Sequence, residues 1–271
     1  MTTTGTGPRP RRRWIWVLVA LATAGVVVVP VTLRIALKIA IHHEFGPVVT
    51  YRRDVTALKV QTDAGGSVTI RAGQDGRVVI ARALQWVFGK PGVTQSWHDG
   101  VLRVGATCPK FDPFEDCQAD VTISVPAGTP VTGEAGAGSV VVTGISGSVH
   151  LAATSGVLRV GRVSGPLWLS ATSGFVAGHT GLSSPQVYAS VTTGSIALRL
   201  DGGPRLLTVG VGSGYADIML PRGLGYRIAG SDGPGILQIA PGLSQPGSAR
   251  LLTATLGTGE VKIGYEPAPP P

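Results

Sequence analysis

The only two cysteines, Cys108 and Cys117, bracket the segment CPKFDPFEDC. Thiols this close in sequence form a disulfide in an oxidising compartment or hold a metal in a reducing one. Eight intervening residues do not match the spacing of a zinc-binding CxxC, and no second pair completes four ligands. One disulfide is expected if the segment is exported. Asp112, Glu115, Asp116 and Asp120 surround it and offer oxygens to a calcium ion. They lack the regular Asp and Gly pattern of calcium-binding repeats, so a solvated acidic loop is expected.

Other reactive types are scattered. His98, His150 and His179 stand far apart, with no Cys or carboxylate at ligand spacing, and His42 and His43 read as solvated linker residues. The cluster GEAGAG, Gly133 to Gly138, has the small residues of a phosphate loop. Such a loop needs a helix behind it, whereas Ser139, Val140 and Val141 continue as a strand. Ser and Thr are abundant without a GxSxG elbow. No catalytic residue, metal or cofactor is expected.

The elements that would position these residues follow from a glycine repeat. Gly138, Gly156, Gly174, Gly194, Gly214 and Gly259 align, the first five at spacings of 18, 18, 20 and 20 residues, and Gly66 opens a similar unit. The second and fourth positions after each glycine are apolar or small, as in Val140 and Val142 or Ile196 and Leu198. Seven and five positions before it lies another alternating pair, as in Val149 and Leu151 or Leu167 and Leu169. A period of two marks strands with one buried face, so each unit carries two short strands. Between them TSG, TTG and GSG supply turns, with glycine at positive φ and Ser or Thr bonding locally.

Units this short do not match a propeller blade, and they lack the Leu and Asn pattern of a leucine-rich repeat. The fold class expected is all-β, a repetitive β-solenoid resembling a single-stranded β-helix. The alternative is an antiparallel β-sandwich or β-roll, because alternation does not fix strand direction. In this alignment Arg159 and Asp217 share a column three units apart, near 14 Å at ~4.8 Å per step, too far for a glycosidase pair. The outward positions His150, Trp168 and Tyr188, followed by Thr208 and Thr253, form a second column, a strip of rings suited to a sugar or peptide ligand. Alternatively the rings shield the sheet or lie under the disulfide loop, and full burial of Trp168 would decide for shielding.

The formal charge of +8 raises nucleic acid as a partner. Six of the 23 Lys and Arg, namely Arg9, Arg11, Arg12, Arg13, Arg34 and Lys38, precede Glu44, the first acidic residue. The 17 that remain face 15 acids, a balance of about +2 without clustering, so nucleic acid is not an expected partner. From Trp14 to Leu33 there is no charge, and twenty residues as a helix span about 30 Å, the thickness of a bilayer core. Arg11, Arg12 and Arg13 on one flank and Arg34 on the other set the orientation, with the N-terminus cytoplasmic and the rest outside. Ala22, Thr23 and Ala24 would suit a signal peptidase, but the apolar run continues beyond them, as in a signal-anchor.

The expected organisation is a basic cytoplasmic tail (1–13), a single-pass transmembrane helix (14–36), a juxtamembrane linker (37–50), an extracytoplasmic β-repeat domain (51–264) and a disordered Pro-rich tail (265–271). With this anchor, the opening QTDAGGSVTIRAG (Gln61 to Gly73), the segment ADVTISVPAGTPV (Ala119 to Val131) and the TSG units, the chain resembles the bacterial putative-adhesin family of membrane-anchored β-strand-repeat proteins, in its actinobacterial type. The resemblance covers most of residues 51–264. It implies a cell-membrane protein whose surface domain adheres to cell-envelope polymer, or an accessory or sensor component of envelope-stress signalling that contacts a membrane partner. It supplies no catalytic residues.

Overall fold

The computed structural model describes residues 11–39, 41–109, 117–230 and 233–266. It divides into two compact units, Met1–His42 and His43–Pro271. The first contains one 29-residue helix, Arg11–Ile39, with Pro30 inside it. Thr23 and Thr32 donate their hydroxyls back to the carbonyls of Val19 and Val28, at 2.7 and 2.8 Å, so both hydroxyls are satisfied within the helix. Its described side chains leave out residues 11–13, 15 and 33–39, and among the described residues no helix is long and apolar enough to cross a membrane. The side chains of Arg11, Arg12, Arg13 and Arg34 lie outside the described set.

The second unit is all-β, with two parallel-rich sheets that the chain visits alternately. One sheet collects the strands that follow the repeat glycines. There Val140 pairs with Leu158, Leu158 with Val176, Val176 with Ile196, Ile196 with Ala216 and Ala216 with Val261, all in parallel. These offsets are the spacings of the glycines. The other sheet collects the preceding strands, with Leu151, Leu169, Ala189, Val209 and Ala254 in one parallel column. Among the described residues the antiparallel pairs lie at the N-terminal end: Val49–Tyr51 with Val78–Trp86, Val78–Trp86 with Gln118–Val125, and Gly92–His98 with Val101–Thr107. The antiparallel alternative is therefore overturned for the repeat itself.

The core lies between the sheets. Val140, Leu158, Val176, Ile218, Leu167 and Leu169 are completely buried, as the alternation requires. A third inward column comes from the turns that close each unit, where Ile145 and Val163 are joined by the bond from Ser164 N–H to the Ile145 carbonyl, and Leu182 follows. Single apolar residues in Gly, Ser and Pro surroundings lack the alternation of two, which is why that pattern does not reveal them.

The glycine column has a different cause from the one expected. Only Gly66 and Gly138 have positive φ among the aligned glycines, at +90° and +76°. At the others a side chain is excluded by stacking. A Cβ on Gly156 would stand 2.7 Å from the carbonyl oxygen of Gly138, and one on Gly174, Gly194, Gly214 or Gly259 would come closer still to the carbonyl of the glycine in the adjoining unit. The turn backbones also bond between units and not locally. Thr154, Thr172 and Thr192 donate their N–H groups to the carbonyls of Ala135, Ala153 and Ala171 at 2.8 to 3.0 Å. The ladder thus runs unbroken around the corner, leaving no space for a β-carbon there.

Both ends depart from sequence order. Ser67–Ala72 lies between Gln118–Val125 and Ser139–Thr143, so the segment between these first repeats is folded outward as an end layer. At the other end, Leu251–Leu256 and Glu260–Tyr265 pair directly with Leu206–Val211 and Tyr215–Leu220, while Arg227–Ala229 and Ile236–Ile239 cover them from outside. The 45-residue gap between Gly214 and Gly259 is therefore a covering layer, which hides apolar groups such as Leu252 and Ile263 that the last repeat would otherwise expose.

The expected boundaries shift for the same reason. Residues 42–50, read as linker, contribute His42–Phe45 and Val49–Tyr51 to the sheet edge, and Glu44 pairs with Lys90 at 2.6 Å. Residues 265 and 266, read as tail, are held too. Tyr265 ends a strand and donates its hydroxyl to the Leu224 carbonyl at 2.9 Å, and Glu266 N–H bonds the Leu220 carbonyl at 2.8 Å. Edge backbone groups need partners, and these strands supply them. Residues 267–271 lie outside the described residues.

Candidate functional site

The sheet formed by the strands before the glycines presents its outer face as columns perpendicular to the strands, because parallel pairing in register places like positions side by side. One column contains the predicted strip. His150 pairs with Trp168 and Trp168 with Tyr188, then Thr208 and Thr253 follow in order. His150 and Trp168 stack with ring centroids 4.0 Å apart and planes 12° from parallel. His150 is exposed, Trp168 half-buried and Tyr188 41% exposed. Two of the rings therefore stack, as the shielding alternative requires, and the column still presents a surface, so Trp168 does not meet the full burial that would exclude a ligand.

In the opposite direction the same column continues through Thr132 to Lys59 and Arg103, which sequence reasoning did not connect with the rings. Lys59 and Arg103 are both exposed and adjacent in register, and neither has an ion-pair partner among the described residues. The signal was present, since each is the residue between two inward positions, but their place beside the strip depends on the out-of-order end units.

Next to this column runs one of smaller residues, with Glu134, Ala152, Ser170 and Ser190 in succession. A small side chain beside a large one leaves a depression. Three of them, of about 430, 370 and 230 Å³, lie along this face and share residues: Glu134 lines all three. The smallest is bounded by His150, Trp168 and Tyr188, and the largest reaches the turn residues Thr154, Thr172 and Thr192. Together they form one trough, walled by rings on one side and by threonine turns on the other.

The remaining sequence-selected residues fall elsewhere. Cys108 and Cys117 form a disulfide with Cα atoms 6.0 Å apart. Of the acidic residues around it, Asp120 accepts the backbone N–H and hydroxyl of Ser67, each at 2.8 Å, and so ties two strands together; Asp112, Glu115 and Asp116 lie outside the described residues. His98 meets Asp99 at 3.1 Å on the surface, and His179 is exposed. Arg159 and Asp217 do share a column, separated by Ala177 and Ala197, and Asp217 stands beside Lys262.

No family model and no curated protein matches this sequence. Among solved structures it is similar to a putative cell adhesion protein from Clostridium sporogenes, at 13% identity and a TM-score of 0.41, over 83% of this chain and 100% of that one. It is also similar to a putative adhesin from Parabacteroides merdae, at 14% identity and a TM-score of 0.40, over 84% and 96%. A putative adhesin from Bacteroides fragilis is similar at 14% identity and a TM-score of 0.32, over 82% and 97% of the two chains.

Proposed function

We propose that this chain is a non-catalytic cell-surface binding module, a β-solenoid of two-strand turns held at the cell membrane by its N-terminal helix, with the β domain outside the cytoplasm. The observation that carries the binding role is the partly exposed column His150, Trp168 and Tyr188 beside a continuous trough. Phe, Trp and Tyr are only 6% of the residues, and two of them beside His150 in one column on an outer face form a preorganised contact surface. The solenoid reading is supported by the unbroken parallel ladders at 18- and 20-residue offsets. The non-catalytic reading is supported by the separation of Arg159 from Asp217, which three strand spacings put near 14 Å.

Retention of the full-length chain on cell-envelope polymer tests the binding role. Trp168→Ala is expected to weaken it by about 1 to 3 kcal/mol, as for an aromatic anchor. Because Trp168 also stacks on His150, a small loss of stability, about 0.5 to 1.5 kcal/mol, is expected alongside. Loss of stability with unaltered retention would assign the rings to shielding.

The anchor rests on the uncharged run Trp14 to Leu33 and its flanking arginines. A single cysteine introduced after Arg34 is expected to react with a membrane-impermeant thiol reagent in intact cells, and one placed before Arg9 is expected to react only after lysis. The reverse pattern would invert the orientation, and labelling of both would remove the anchor.

A further inference from the structure

We propose that the trough takes a linear glycan lying along the stack, perpendicular to the strands, with an acidic substituent at the Lys59 and Arg103 end. The inference deepens the surface-binding reading and rests on it.

The length and direction of the trough come from register. Its floor runs from Gly105 through Gln61, Glu134 and Ala152 to Ser170 and Ser190. Five strand spacings of about 4.8 Å make it roughly 24 Å long. A groove of that length with a repeating lining fits a chain of repeating units better than a single small molecule.

The chemistry of the lining selects the chain. These strands are bonded in parallel on both sides, so their backbone donors and acceptors are already used, and an extended peptide cannot gain the main-chain bonds by which strand addition works. What remains for a ligand is side chains. Gln61, Glu134, Ser170 and Ser190 offer amide, carboxylate and hydroxyl groups along the floor, with Ala152 between Glu134 and Ser170, and the threonine turns face them across the trough. The hydroxyl groups of a sugar chain both donate and accept, and so match such a lining. Sugars also carry apolar ring faces, which can cover the stacked His150 and Trp168 and the neighbouring Tyr188. Glu134 and Asp63 line the trough as well and oppose a uniformly anionic strand such as nucleic acid.

The charge is not spread evenly. Lys59 and Arg103 line the depression at the N-terminal end, beyond the rings, without carboxylate partners among the described residues. An acidic group on the ligand would meet two cations there at once, and this polarity gives the bound chain a direction.

The test is titration of the full-length protein in detergent with chitohexaose oxidised at its reducing end to the aldonic acid, which carries a single carboxylate, the same acid of the dimer, unmodified chitohexaose and a polyglutamate peptide of similar length. The hexameric acid is expected to bind at least tenfold tighter than the dimeric acid and at least threefold tighter than chitohexaose. Trp168→Ala should lower its affinity at least tenfold. Lys59→Gln combined with Arg103→Gln, at exposed positions that leave folding intact, should remove its preference over chitohexaose. Polyglutamate binding as tightly as the hexameric acid would overturn the glycan assignment, and chitohexaose binding equally would overturn the acidic end. If Trp168-dependent retention on envelope polymer persists while neither hexamer binds, the ligand class is wrong and the surface reading stands. If that retention does not depend on Trp168, the reading beneath this proposal fails with it.

Discussion

Gly194→Ala is expected to lower the unfolding free energy by about 3 kcal/mol, a cost typical of forcing atoms into a packed region plus a damaged hydrogen bond. The added Cβ would meet the carbonyl oxygen of Gly174. That oxygen accepts the N–H of Ser195 at 3.2 Å, so it cannot swing aside without breaking the ladder. The same oxygen lies in a column in which each glycine abuts the next, and a shift there is transmitted to Gly156 and Gly214. Gly128→Ala is the control, because its Cβ would meet nothing within 4 Å and its φ is not positive. It should be neutral, or stabilising by a few tenths of a kcal/mol through the unfolded chain. Urea unfolding of the two variants decides the matter, since equal midpoints would mean that the glycine column can relax and that its close approach is not what requires glycine.

The layer covering the C-terminal end is expected to lose stability selectively at high pH, through Tyr226. This side chain is completely buried, and its hydroxyl has no hydrogen-bond partner among the described residues. Burial pushes the phenol up from 10.0 to about 12, with the Arg250 guanidinium pulling it partly back. The folded state holds the proton more tightly than the unfolded chain does. The stabilisation linked to the neutral phenol is therefore complete below pH 10 and is lost as pH rises toward 12. Two pKa units correspond to about 3 kcal/mol. Tyr226→Phe removes the titrating group together with an unsatisfied buried hydroxyl, so it should be neutral or slightly stabilising at pH 7. It should also flatten the decline between pH 10 and 12. A decline of the same depth in wild type and Tyr226→Phe would place the alkaline sensitivity elsewhere.

Much of the repeat is legible in the sequence. The alternation around Val140 and Val142, or Leu167 and Leu169, is a local consequence of the pleat, which sends successive side chains to opposite faces. The glycine spacing likewise predicted which residues would be neighbours, and Leu158 does lie between Val140 and Val176, eighteen residues away on either side. The column of His150, Trp168 and Tyr188 followed from the same rule. Lys59 and Arg103 did not, because they belong to end units whose order in space differs from their order in the chain.

By itself, then, the sequence determined the strands, their buried faces, the unit length and the apolar run at the N-terminus, all of which depend on residues within a few positions of one another. Only the tertiary structure decided that the repeat strands are parallel, that the segment before Gly259 covers the stack, and that His42–Phe45 and Val49–Tyr51 join a sheet. It also decided why the glycines are glycines. Strand direction and the order of layers depend on which distant backbone groups pair and which apolar ends must be covered, and a period of two is the same for every such arrangement. The carbonyl beneath Gly194 belongs to a residue twenty positions earlier, and nothing in the local chain around Gly194 records that it is there.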